Sequence, residues 1–192
     1  MAIIVLASNN KHKIKEFKEI FINDIILSLN DIGFSEDIEE TGKTFFENAL
    51  IKAKTIYSYL KNKNLNYEVI ADDSGLCVNS LDGAPGVYSA RYSKDHNPKA
   101  NRDKLLKELE NKNDRSAYFE CCLVKYFPND TYASATGKTF GYILNEERGD
   151  TSFGYDCIFF STEINKCFGE ATSEEKNSVS HRGKAINNLL KL

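Results

Sequence analysis

Apolar positions along this chain switch between two spacings, and the switches mark the elements. Ile3 to Leu6 is a continuous, largely β-branched run, the pattern of a strand covered on both faces. From Lys11 the spacing becomes helical, with Ile14, Phe17, Ile20 and Phe21 on one face. Ile25 to Leu29 reads as a second strand. Thr44 to Leu60 reads as a second helix, with Phe45, Ala49, Ala53, Ile56 and Leu60 at helical spacing. The polar stretch Lys61 to Asn66 is a helix-to-strand loop, and Val69 to Ala71 a short third strand.

Leu76 and Val78 alternate with polar neighbours, which predicts a half-buried strand. Leu81 to Ser93 is punctuated by Gly and Pro and reads as an ordered loop. Asn101 to Leu109 is helical. Ala117 to Phe127 and Tyr132 to Leu144 are long strands joined by a turn at Pro128-Asn129-Asp130. Ile158 to Phe160 predicts a further short strand, and Ser180 to Leu190 a closing helix. Early β-α alternation followed by a long hairpin gives an α/β fold with a mixed central sheet and flanking helices.

The 192 residues fit one domain, 1–192, or two closely joined lobes within it. A net charge of -3, with both signs scattered, argues against binding duplex nucleic acid or an anionic membrane. No apolar run approaches the ~20 residues of a membrane span, and no signal peptide is evident. The 5 cysteines include no CxxC pair and the 3 histidines are far apart, so free thiols in a reducing cytoplasm are expected rather than a zinc site.

Five stretches carry candidate chemistry. In LASNNKHK a buried strand gives way to a helix start, where free N–H groups bind phosphate. Ser8 and Asn10 can donate and Lys13 adds charge; plain N-capping explains the same residues. In EETGKTFFENAL, Glu39 and Glu40 can offer oxygen to a hard cation or sit in water, Glu47 suits a helix start, and Lys52 can reach a phosphate. In VIADDSGLCV two carboxylates stand side by side at a strand end. Asp72 and Asp73 point to opposite faces, so one can be fixed structurally while the other meets a ligand. TSFGYDCIFF offers aromatic faces for a base and Asp156 as an acceptor, or simply core rings. EEKNSVSHRGKA has Ser180 as N-cap, with His181 and Arg182 at a helix head where cations are unfavourable.

Taken in order, SNNKHK, ETGKTFFENALIKA, VIADDSGLCV, LDGAPGVYSARYS, SFGYDCIFF and EEKNSVSHRGKA resemble the inosine triphosphate pyrophosphatase family nearly end to end. The resemblance implies an elongated two-lobed α/β fold with a deep substrate cleft, usually a homodimer. It implies Mg²⁺-dependent hydrolysis of ITP, dITP and XTP to the monophosphate and pyrophosphate. By motif, Ser8, Asn9, Asn10, Lys11, His12 and Lys13 would hold phosphates, with help from Lys52. Glu39 and Asp73 would bind the metal, with Glu40 the alternative to Glu39. Asp73 would also accept the proton of the attacking water, and Ser74 would touch substrate. Phe153, Gly154, Tyr155 and Asp156, with Lys176, His181 and Arg182, would frame the base. The family usually has Gly where this chain has Asn9, which puts the fit around the phosphates at issue, and often Pro where it has Cys157. A pyrophosphatase with another base preference, a phosphatase releasing orthophosphate and a nucleotide-binding module without turnover are the competing readings.

Overall fold

The computed structural model describes residues 1–94 and 97–192, so one histidine, His96, lies outside the described residues. Seven strands form one mixed sheet in the order β2-β1-β3-β4-β5-β6-β7. They are β1 (Ile3–Leu6), β2 (Ile25–Leu27), β3 (Glu68–Val78), β4 (Ser116–Tyr126), β5 (Tyr132–Ile143), β6 (Phe159–Ser161) and β7 (Lys166–Cys167). The helices are α1 (Lys11–Ile20), α2 (Phe45–Asn62), α3 (Pro98–Glu108), α4 (Ser173–Val179) and α5 (His181–Leu189). β1 runs parallel to β2 and β3, whereas β6 runs antiparallel to both β5 and β7.

The chain divides into two units. The first holds Met1–Asp73, Cys122–Ala135 and Asn188–Leu192; the second holds Ser74–Cys121 and Thr136–Asn187. The core of the first is the apolar stripe of α2 (Ala49, Ala53, Ile56, Leu60) laid on Val5, Val69, Ala71 and Val124. That stripe was legible because its residues recur every three or four positions. The core of the second gathers Leu76, Val78, Leu105, Phe119, Ile143, Phe159 and Phe168.

Several boundaries differ from the sequence expectation, for local reasons. The short strand at Val69 and the half-buried one at Leu76 are one 11-residue strand, with Leu76 and Val78 fully buried. The polar DDS stretch looked like an interruption, yet its side chains are accommodated without breaking the ladder. β2 ends at Leu27, where Asp31 accepts from the backbone N–H and hydroxyl of Ser28 and turns the chain. α3 begins at Pro98, with Asn97 as its cap, because proline at the first helical position gives up no bond. Helix α4 was not anticipated, although a T-x-x-E box was there to be read: Thr172 and Glu175 cap it reciprocally. All five cysteines are free and buried. Among the described residues no helix is long and apolar enough to cross a membrane.

Candidate active site

In the first unit, β3 carries its two carboxylates to opposite faces, and each meets a lysine from a different helix. Lys13 of α1 holds both oxygens of Asp72, at 3.0 and 2.9 Å. On the α2 side, the Asp73 Oδ2 accepts from Asn48 at 2.9 Å, while its Oδ1 lies 3.7 Å from Lys52 Nζ. Lys52 also donates to Glu40 at 2.6 Å. Asp72 and Asp73 are only 2% and 8% exposed, so their charges are tolerable because ammonium groups stand beside them. Asp73 is nonetheless pushed above the ordinary carboxylate value. Burial drives the rise and Glu40 adds to it, against the opposing pull of Lys52, Asn48 and Lys13. Burial alone would lower the Lys52 ammonium, but Asp73, Asp72 and Glu40 together raise it. The directions are compatible: the lysine gains from three carboxylates, whereas Asp73 is also crowded by Glu40.

Asn48 is a residue the sequence reading passed over. It is fully buried on α2, one turn before Lys52, and is itself fixed by accepting from the Gly42 N–H at 2.8 Å. A Cβ at Gly42 would fall 2.6 Å from Asn48 Oδ1, so the glycine admits this close approach. The signal was there, in that two polar residues four apart interrupt an otherwise apolar helix face. Asn48→Leu, which keeps the branched shape but removes both bonds, is expected to lower stability by about 2 kcal/mol, measured by urea unfolding. Glu47, by contrast, has the structural role expected of it. It accepts from the N–H groups of Lys43 and Thr44 in a capping box with Thr44.

The loop from Ser8 to Lys13 is tied down by its own side chains. Asn10 caps α1, accepting from the N–H groups of His12 and Lys13 at 3.0 and 3.3 Å, and Ser8 accepts from the Asn10 N–H. The capping reading is therefore realised, and the ordered turn leaves Asn9, Asn10, Lys11 and His12 at the surface. Asn9 stands where a glycine was expected, but it is not among the residues with positive φ. Its side chain accepts from the Asn30 N–H at 2.9 Å, pinning the loop to the segment after β2. Glu39 is exposed, whereas its neighbour Glu40 is brought to Lys52.

In the second unit, the 153–156 turn meets α4. Lys176 donates to Asp156 and lies 4.7 Å from the centre of the Phe153 ring. Tyr155 is buried and donates to the Ser89 carbonyl at 2.8 Å. Ser180 caps α5 by accepting from the Gly183 N–H at 3.0 Å, as expected. At the head of that helix, Arg182 donates to the Ser74 hydroxyl at 3.2 Å. The His181 ring stacks on Phe119, with centroids 4.9 Å apart, as part of the packing of this unit. Phe153, Asp156 and Lys176 are thus gathered at one place, and Ser74, Arg182 and the buried His181 at the start of α5.

Among the described residues no group of three or more His, Cys, Asp or Glu side chains is arranged to hold a metal ion. Mg²⁺, however, is commonly held by one or two carboxylates together with substrate phosphate and water. Asp73 and Glu40, drawn around the single ammonium of Lys52, are such a pair. The donor set fits a hard cation that arrives with an anionic substrate, not one locked in a protein cage.

The Ham1 family matches residues 4–192. A dITP/XTP pyrophosphatase of Clostridium perfringens is 49% identical, over 98% of this chain and 96% of its own. One from Bacillus subtilis is 45% identical, over 98% and 95%. The solved structure of the Staphylococcus aureus Ham1 protein superposes with a TM-score of 0.87 at 40% identity, covering 98% of this chain and 96% of that one. The resemblance read from the motifs and the mixed α/β architecture are both borne out, and the chain belongs to the Ham1 family.

Proposed function

We propose that this protein hydrolyses deaminated purine nucleoside triphosphates (ITP, dITP and XTP) to the monophosphate and pyrophosphate, clearing them from the nucleotide pool. The observation that carries the reading is the inequality of two neighbouring carboxylates. Asp72 is clamped through both oxygens by Lys13, whereas Asp73 is steadied through Oδ2 by Asn48 and turns Oδ1 toward Lys52. An oriented, buried carboxylate beside a cation suits a proton acceptor for water. The names of the relatives supply the substrate class.

In this mechanism Lys13 and Lys52 hold phosphate oxygens, so positioning and electrostatics supply most of the acceleration. Asp73 takes a proton from the water that attacks the α-phosphorus; the bond to the β-phosphate oxygen breaks and pyrophosphate leaves. Mg²⁺, held by Asp73 with Glu40 or Glu39, would neutralise charge on the phosphate oxygens. Lys176 and Arg182 are donors only, so they suit the C6 carbonyl of hypoxanthine or xanthine and reject the amine of adenine. Asp156 accepts from the purine ring N–H. Guanine is excluded through its 2-amino group, since one buried unpaired polar group costs about 1–3 kcal/mol. The five free thiols suit work in a reducing cytoplasm.

The test is a panel of nucleoside triphosphates with Mg²⁺, read as pyrophosphate and orthophosphate. Pyrophosphate from ITP and XTP, with little turnover of ATP and GTP, is the expected result. Equal rates on all four, or orthophosphate as product, would remove the proposal; tight retention of ITP without turnover would make the protein a binding module. The two acids separate in a second measurement. Glu40→Gln should raise the Mg²⁺ needed for half-maximal rate about tenfold, while Glu39→Gln should stay within about twofold. The opposite order would assign the metal to Glu39.

A further inference from the structure

Arg102 is an arginine only 2% exposed, on α3, outside every motif that led to the proposed function. A buried guanidinium is costly unless its donors are used. Two of them are: Nε donates to Glu147 at 2.8 Å, and Nη1 donates to the carbonyl of Gly154 at 2.8 Å. Gly154 has φ +52, so it turns the chain in a region that side-chain-bearing residues seldom adopt. The turn is closed by the Asp156 N–H on the Phe153 carbonyl at 3.2 Å. On either side of Gly154 stand Phe153, next to Lys176, and Tyr155, fixed to Ser89. Arg102 therefore grips the middle of the segment whose ends carry the proposed base contacts.

We infer that Arg102 is a positioning residue for base selection, acting through the Gly154 carbonyl to hold Phe153 and Asp156 in register with Lys176. This rests on the proposed function and deepens it, adding a residue that does not touch the nucleotide. A planar fork is needed because one side chain must serve a carboxylate and a carbonyl at once. A lysine offers a single point charge and cannot hold both in the same geometry.

The experiment compares wild type, Arg102→Leu and Arg102→Lys by steady-state pyrophosphate release from ITP and from ATP. In Arg102→Leu, kcat/KM for ITP should fall about tenfold, mostly through KM, while the poor value for ATP stays within about twofold, so the ratio between them collapses about tenfold. Arg102→Lys should lose about threefold of the ratio. A part that merely supports the fold would lower both substrates in parallel, so an unchanged ratio overturns the inference. If Arg102→Leu does not fold, Arg102→Lys decides alone by the same ratio. Wild type that releases pyrophosphate from ITP while both variants keep its selectivity removes this inference only. Wild type that releases none removes the proposed function and this inference with it.

Discussion

Asp73→Asn should reduce turnover of ITP by about 10³-fold or more, because it removes the proposed proton acceptor, a role worth 10²–10⁴, together with a negative charge at the proposed metal position. The loss should appear in kcat and persist at saturating Mg²⁺; near-normal turnover there would remove Asp73 from its role. The same change should raise the melting temperature at neutral pH. The folded-state pKa of Asp73 is raised, chiefly by burial, so its ionisation works against the fold. For a group raised in this way, the favourable contribution is complete below the unfolded value of 3.8 and is lost as pH climbs through the folded value. The variant's advantage should thus be present at pH 7 and vanish below about pH 4. Melting curves taken in EDTA across that range check the sign: a variant less stable than wild type at pH 7 would show that the lysine and Asn48 more than offset burial.

Lys52→Met should have the second-largest effect. The side chain keeps its length, but the ammonium between Glu40 and Asp73 is gone. Removing one partner of a buried ion pair costs about 3–5 kcal/mol, because the charges left behind have no solvent to turn to. The folded-state pKa of Lys52 is raised, so its contribution is fully present below the unfolded value of 10.5 and complete at neutral pH. In acid the carboxylates protonate and the gain from pairing them disappears. The penalty of Lys52→Met should therefore be largest near pH 7 to 8 and shrink toward pH 4. Chemical denaturation at those values measures it, and a penalty independent of pH would mean that the cost is packing alone. Turnover should fall about 10²–10³-fold, the usual loss when one stabilising donor is removed from a reacting oxyanion. Added Mg²⁺ should raise the melting temperature of this variant more than that of wild type if a cation can take the lysine's place.

The predicted elements succeeded where spacing alone decides. The stripe on α2 and the two long strands of the hairpin are periodic over many residues, and neighbours in sequence share a face whatever the rest of the chain does. Prediction failed where a long-range partner decides. The strand through Asp72, Asp73 and Ser74 looked interrupted because the lysines that make buried carboxylates tolerable come from α1 and α2, far away in sequence. Helix α4 is short, with Val179 its one apolar residue, so it reads as loop although its capping box is visible. Glu39 and Glu40 are alike in composition and position, and only the folded chain brings one of them to Lys52.

By itself the sequence determined that a mixed α/β chain of the Ham1 type would form, because motif order and apolar periodicity are properties of the chain alone. It also determined that Asp72 and Asp73 would diverge, since successive strand residues point apart. Only the tertiary structure decided which carboxylate is clamped and which is steadied from one side, that Asn48 does the steadying, and that Arg102 grips the Gly154 carbonyl. Hydrogen bonds and ion pairs depend on distances between residues dozens of positions apart, and no spacing rule along the chain contains those distances.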